Sequence, residues 1–202
     1  MKIGIIFYST YGHLYQMAQA ALNGLKENGI DGEILRVQET LPDEVLEKMG
    51  ALEAQKAFNN VKKAEVDDLV NYDGFIFAFP TRFGNMASAF STFLGATGQL
   101  WQSGALIGKP FGLFAGSATQ HGGQESTLLT SMVPFIHHGM LFVGLPQSEQ
   151  ALFNSTSVEG GSFYGATTIS AGDGSRMPSE SELKLASALA LRVGKIAEKL
   201  SA

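Results

Sequence analysis

The chain has 202 residues, 45% of them hydrophobic and only 16% charged, with a formal net charge of -5. That is enough apolar material for one domain with a sizeable core, too few charges for a disordered chain, and the wrong sign for a nucleic-acid partner. With no cysteine there are no disulfides, thiolate metal sites or cysteine nucleophiles, and no apolar run approaches the roughly 20 residues of a membrane span, so no membrane insertion is expected.

Ile3-Gly4-Ile5-Ile6-Phe7-Tyr8 opens the chain. It has strand length, and its near-continuous apolar character suits a parallel strand buried on both faces. Met1-Lys2 runs straight into it with no leader pattern, so the expected compartment is the cytoplasm. The turn Ser9-Thr10-Tyr11-Gly12-His13 follows, then a helical pattern from about Leu14 to Lys26. Strand, hydroxyl-rich loop and helix is the build of an anion site. The same residues also suit a plain helix cap by Ser9 or Thr10. The turn is not Gly-x-Gly-x-x-Gly and lacks a Gly-Lys-Ser/Thr ending, so neither dinucleotide nor triphosphate signatures are present. It carries no Lys or Arg, so a phosphate held by this loop alone is held by neutral donors.

A second strand is expected over Glu33-Ile34-Leu35-Arg36-Val37, after the stop signal Gly29-Ile30-Asp31-Gly32. Residues 39–63 are polar and helix-forming, and read either as an insertion serving a partner surface or as a plain surface helix. A short helix over Val66 to Tyr72 leads to a third, wholly apolar strand, Phe75-Ile76-Phe77-Ala78-Phe79, which ends at Pro80. The loop Thr81-Arg82-Phe83-Gly84-Asn85-Met86 precedes a helix from about Ala87 to Thr97. Gly98 to Gly108 reads as a loop holding the only tryptophan, Trp101. The fourth strand is Phe111-Gly112-Leu113-Phe114-Ala115, with the loop Gly116-Ser117-Ala118-Thr119-Gln120-His121-Gly122-Gly123 after it. A helix from about Gln124 to Ile136 ends at His137-His138-Gly139. Met140 to Gly144 is half of a fifth strand, resumed at Gly165 to Ile169. Between them, residues 145–170 are Gly-, Ser- and aromatic-rich without a pattern, and an unpaired stretch that long is usually functional. Gly172 to Ser179 is a turn and cap cluster, and an amphipathic helix from about Glu180 to Leu200 closes the chain.

Strands alternating with helices mean a parallel sheet with helices on both faces. Ligands in such sheets sit at the C-terminal ends of the strands, near the point where strand order reverses. The loops after the first, third and fourth strands are therefore expected to converge at one edge, which favours the anion site over the cap.

The motifs Tyr8-Ser9-Thr10-Tyr11-Gly12-His13, Pro80-Thr81-Arg82-Phe83-Gly84-Asn85-Met86, Gly122-Gly123-Gln124-Glu125, His137-His138-Gly139-Met140, Tyr164-Gly165-Ala166-Thr167-Thr168 and Gly172-Asp173-Gly174-Ser175-Arg176 occur in order along nearly the whole chain. In them the chain resembles the WrbA-type NAD(P)H:quinone oxidoreductases of the flavodoxin-like family. The resemblance implies an α/β fold with a five-stranded parallel sheet in the order 2-1-3-4-5, one domain over residues 1–202 with insertions at about 39–63 and 145–170, and FMN as cofactor. It implies that Ser9, Thr10, Tyr11, Gly12, His13 and Leu14 take the phosphate. Thr81, Arg82 and Phe83 would border the isoalloxazine ring, with Gly84 and Asn85 continuing that cofactor-binding loop. Gly116, Ser117, Ala118, Thr119, Gln120, His121 and Gly122 would border the ribityl chain and the other ring edge. His137 matches a flavin-side histidine, Tyr11 the residue that meets the nicotinamide nucleotide, and Trp101 the residue lining the substrate pocket. NADH or NADPH and quinones would be the substrates. The family is typically a homotetramer, a dimer of dimers with pockets completed across subunits. Two departures stand out: the fourth-strand loop is longer and less Gly-rich than in many relatives, and Gly95 stands where relatives often carry Asp.

FMN would supply the redox chemistry and the protein its position and electrostatics. Arg82 is the cation suited to stabilising a fully reduced flavin, and a surface ion pair is its plainer reading. Tyr11, Phe83 and Trp101 suit the walls of a flat slot for quinone and nicotinamide, although any of them could pack in the core. Of the two histidines that close the helix, one suits the helix dipole, and His137 is the candidate to hydrogen-bond or relay a proton at the ring. His13, His121, His137 and His138 have no metal-ligand spacing, so no metal is expected. An electron carrier of flavodoxin type and an FMN-binding regulatory module are the rival readings; the extra length and Arg82 speak against the carrier.

Overall fold

The computed structural model describes residues 1–201. In chain order the elements are β1 (Lys2–Phe7), α1 (His13–Glu27), β2 (Asp31–Arg36), α2 (Asp43–Lys48), α3 (Leu52–Gln55), β3 (Gly74–Arg82), β4 (Asn85–Met86), α4 (Ser88–Gly95), α5 (Gly98–Ser103), β5 (Pro110–Ser117), α6 (Gln124–His137), β6 (Leu141–Phe142), β7 (Ala166–Ile169) and α7 (Glu180–Leu200). Three 3-10 turns, at Lys56–Phe58, Val66–Asn71 and Gln150–Phe153, complete them.

The sheet runs β2-β1-β3-β5, all parallel, and ends in a strand made of two pieces. β6 pairs with the start of β5 and β7 with its end, both parallel, Phe142 opposite Phe111 and Ala166 opposite Phe114. This is the expected order 2-1-3-4-5, with a fifth strand that is left after Phe142 and resumed at Ala166. β4 is a two-residue antiparallel return on β3.

Alternation of side chains across the strands builds two cores. Ile3, Ile5, Phe7, Ile76, Ala78 and Phe114 face α1 and α7. Ile6, Phe75, Phe77, Phe79, Phe111 and Leu113 face the side of α4 and α6, where the Phe77 and Phe135 rings stack at 4.2 Å between centroids. Strands buried on both faces read as unbroken apolar runs, which is why the sequence pattern located them.

Three expectations need correction. Residues 39–63 form two short helices and a 3-10 turn rather than one helix. Trp101 sits on a six-residue helix, α5, closed by Gly104 at φ 70°, not in a loop. The stretch read as patternless holds a 3-10 turn at Gln150–Phe153, whereas β7 is the resumption of the fifth strand expected at Gly165 to Ile169. No helix among the described residues is long and apolar enough to cross a membrane.

Candidate functional site

The C-terminal ends of β1, β3, β5 and β7 meet around a cleft of about 130 Å³. Its walls include Thr10, His13, Arg82, Ser117, Thr168 and Ser170. Ser9 and Thr10 are buried, and Ser9 Oγ accepts the Gly12 N–H at 2.9 Å, a bond within the turn itself. Gly12, at φ 90°, precedes α1, and no side chain caps that helix. The cap reading of the turn therefore fails, and α1 brings an uncapped, electropositive end to the cleft through His13 and Leu14. The loop's own donors are neutral, as the sequence suggested. A charge nonetheless arrives from another strand: Arg82 Nη2 donates to Thr10 Oγ1 at 3.1 Å. Buried hydroxyl, uncapped helix start and guanidinium together form a donor set that fits a dianionic phosphate.

Arg82 is delivered by the β3–β4 hairpin. Phe83 and Gly84, at φ 54° and 79°, are its two central residues, and a two-residue turn with both φ positive follows the right-handed twist of the strands. The Phe83 side chain is fully exposed, so it is not part of the core. α6 steadies the hairpin: the Thr127 and Thr81 hydroxyls lie 2.7 Å apart, and the Thr130 hydroxyl lies 3.0 Å from the Gly84 carbonyl. The loop after β5 starts at the buried Ser117. Ala118, Thr119, Gln120 and His121 form an exposed rim above it, and Gly122 leads toward α6. Gln124 folds that rim, its amide nitrogen donating to the Thr119 and Gln120 carbonyls at 3.0 and 3.2 Å. Gly116 has no room for a side chain, because a Cβ there would stand 2.8 Å from Leu14 Cδ2.

His137 and Trp101 lie elsewhere. With Asn85, Met86, Pro134 and His138 they line a separate cavity of about 740 Å³. The hairpin borders both spaces, with Arg82 on the phosphate-sized cleft and Asn85 and Met86 on the larger cavity. The Trp101 indole N–H donates to the His137 carbonyl at 2.9 Å, leaving the exposed His137 ring free of that contact. Gly95 lines the same cavity with nothing within 4 Å of where a Cβ would be. His138 is buried. The Thr97 hydroxyl donates to the Leu94 carbonyl at 2.6 Å and accepts from His138 Nε2–H at 2.9 Å. Burial holds His138 below the ordinary histidine value, which favours its neutral form.

Tyr8 and Tyr11 tie the first loop to the 39–63 segment. Tyr8 Oη donates to the Glu39 carboxylate, 3.0 and 3.1 Å from its two oxygens, and burial, with Glu39 adding to it, pushes Tyr8 up to about 12. Gln55 Nε2 donates to the same carboxylate at 2.9 Å, and Tyr11 Oη reaches the Met49 carbonyl at 3.3 Å. Thr168 and Ser170 line the cleft without having been singled out as site residues. The Tyr164–Thr168 motif contains Thr168 and stops two residues short of Ser170, but nothing local in it shows that β7 ends against β5. Among the described residues, no three His, Asp or Glu side chains gather as a metal-ligand set.

Residues 1–150 match the family described as NADPH-dependent FMN reductase. A protein of Trichlorobacter lovleyi named NAD(P)H dehydrogenase (quinone) is 48% identical over 202 residues, covering 100% of this chain and 99% of its own. One of the same name from Geobacter metallireducens is 50% identical over 201 residues, covering 99% of both. Among solved structures, a flavodoxin, WrbA-like protein from Agrobacterium tumefaciens matches with a TM-score of 0.67 at 22% identity over 98% of both chains, which bears on the fold alone. The apolar parallel sheet, the uncapped first helix and full-length identity near one half agree: the chain belongs to the NADPH-dependent FMN reductase family and groups there with the proteins named NAD(P)H dehydrogenase (quinone).

Proposed function

We propose that the whole chain acts as one FMN-binding unit that reduces quinones by two electrons at the expense of NADH or NADPH. The observation that carries this reading is the cleft where the uncapped start of α1, the Thr10 hydroxyl and the Arg82 guanidinium converge. FMN, when bound, supplies the acceptor and donor of electron pairs. Ser9, Thr10, Gly12, His13 and Leu14 hold the phosphate with backbone and hydroxyl donors, and Arg82 adds the charge that the loop lacks. Thr81, Phe83, Gly84 and Asn85 present the hairpin to the ring. Residues 116–122 close its other side. Arg82 also opposes negative charge that develops on reduction.

Tyr11, whose hydroxyl bonds the Met49 carbonyl, is the residue assigned in this reading to meet the nicotinamide nucleotide. Trp101 supplies an aromatic wall for a planar quinone, and the exposed His137 ring hydrogen-bonds the quinone oxygen or passes it a proton. Because Trp101 and His137 line a cavity apart from the phosphate cleft, the proposal includes a homotetramer, a dimer of dimers in which the pocket is completed across subunits. Exposed apolar side chains on α5 and α6, among them Trp101, Val133 and Ile136, support such an assembly. The expected compartment is the cytoplasm.

The test is anaerobic mixing of FMN-loaded protein with NADH, then with benzoquinone. Rapid loss of the flavin's visible absorbance and its return with quinone is the expected result. No loss with NADH would refute the enzyme and leave an electron carrier or binding module. Replacing His137→Ala is expected to slow the quinone half-reaction with FMN affinity unchanged; wild-type turnover in that variant would remove the assigned role.

A further inference from the structure

The turn Gly172-Asp173-Gly174-Ser175-Arg176 has no part in the reaction as proposed, yet it touches the cleft. Gly174 presents its carbonyl to His13 Nε2 at 3.0 Å. A carbonyl can only accept, so His13 carries its proton on Nε2. His13 is the first residue of α1 and a wall of the phosphate-sized cleft.

What fixes this turn is Glu182, whose side chain is completely buried in the first turn of α7. Arg176 Nη1 donates to it, 3.0 Å from each carboxylate oxygen. The carboxylate also accepts the Gly160 N–H at 2.7 Å, the Thr168 hydroxyl at 2.8 Å and the Ser179 N–H at 2.9 Å. Arg176 in turn donates to the Ile169 carbonyl at 2.6 Å and the Val158 carbonyl at 3.0 Å. Its backbone N–H reaches the Ser170 carbonyl at 3.0 Å, and Ser170 N–H reaches Ser117 O at 2.8 Å. One carboxylate thus ties together the 158–160 segment, the end of β7, the 171–176 turn and the start of α7. Two of the residues so fixed, Thr168 and Ser170, are themselves walls of the cleft.

A helix cap does not require this. Ser179 and Glu182 already make a reciprocal capping box, which a surface glutamate performs as well. Burying the carboxylate completely is costly unless every lone pair is used. Here, beyond the capping bonds, the lone pairs are used on the Gly160 N–H, on the cleft-lining Thr168 hydroxyl and on Arg176, whose own N–H holds the cleft-lining Ser170.

We propose that Glu182 and Arg176 are positioning residues for the anion-binding side of the cleft: through Gly174 they hold the His13 imidazole, and through Thr168 and Ser170 the facing wall. This rests on the FMN reading for the identity of the anion, and on geometry alone for the latch.

Two variants test it, Glu182→Gln, which removes the charge, and Arg176→Lys, which keeps a cation but loses the fork that spans two carbonyls. Circular dichroism establishes folding, and if one variant does not fold the other carries the test. The first readout needs no flavin. In the ligand-free wild type, the His13 Nε2 proton should give a slowly exchanging imidazole signal in the proton spectrum, assigned by its absence in His13→Asn. It should vanish in the folded variants, and its persistence in either would overturn the latch whatever flavin binding does. The second readout is the ratio of FMN to riboflavin affinity, by flavin fluorescence. It should fall about tenfold, with riboflavin affinity unchanged, because only the phosphate end is disturbed. An unchanged ratio in a folded variant that binds FMN would equally overturn the proposal. A wild type that binds neither flavin would refute the FMN reading, and the His13 signal would still decide the latch.

Discussion

Arg82 reaches Thr10 from another strand, and among the described residues it is the one Lys or Arg that lines the cleft. Arg82→Ala should weaken FMN binding by roughly 10- to 100-fold, the worth of a charge-assisted hydrogen bond, read by fluorescence titration at low salt. The buried histidines set a pH dependence of their own. Burial holds His13 and His138 below the ordinary value of 6.5. Between those lowered values and 6.5 the unfolded chain binds more protons than the folded one, so stability is lost as pH falls through that window. A thermal-melting series from about pH 8 to pH 5.5 should show this loss, at up to about 1.4 kcal/mol per pH unit for each histidine. His138→Gln should reduce the slope. At this scale the sequence was informative about residue types and poor on neighbours. Ser9, Thr10 and Arg82 were recognisable from their motifs. Glu182 was not, since a glutamate three residues after a serine looks like an ordinary cap. Its burial comes from Arg176 and Thr168, which only the tertiary fold brings near.

At the scale of elements, the β3–β4 hairpin exposes a phenylalanine in the left-handed region, where L-residues other than Asn and Asp are strained by about 1–2 kcal/mol. Phe83 has no packing to offset that cost. Phe83→Asn should therefore leave urea stability unchanged or raise it by up to about 1 kcal/mol, while lowering quinone turnover, a pairing expected of a residue kept for its ligand. An equal loss of both would place Phe83 in the fold rather than the site. Long elements were legible for simple reasons: the strands as unbroken apolar runs, and α7 because Ser179 and Glu182 mark its start. α5 was not, because six residues that begin with Gly98 and stop at Gly104 carry too little periodicity to separate a helix from a loop. The two spaces flanking the hairpin were not legible either. His137 belongs to the same list of motifs as Ser9, and Trp101 was read with Tyr11 and Phe83 as a wall of one slot, yet α6 and α5 carry them to a different cavity.

For the molecule as a whole, large apolar side chains are left in water on several elements, among them Trp101 on α5, Val133 and Ile136 on α6, and Phe153 and Phe163 on the long insertion, each at least half exposed. Light scattering should give four times the 21.5 kDa chain mass, and Val133→Glu with Ile136→Glu should shift it toward smaller species without unfolding the subunit; a monomeric wild type would refute the tetramer. The split fifth strand bears on how such a surface can change. Phe142 and Ala166 pair with Phe111 and Phe114, which are separated on β5 by Gly112 and Leu113 alone. Both ends of the insertion are thus clamped to one rigid strand about 10 Å apart, whatever lies between them. Loop length costs little once the ends are fixed, so this span can lengthen, shorten or exchange its aromatic residues without shifting any rung of the sheet. The fold thereby leaves the cleft edge of the sheet and the exposed face of the insertion separately adjustable, joined where Val158 to Gly160 meet Arg176, Ser179 and Glu182.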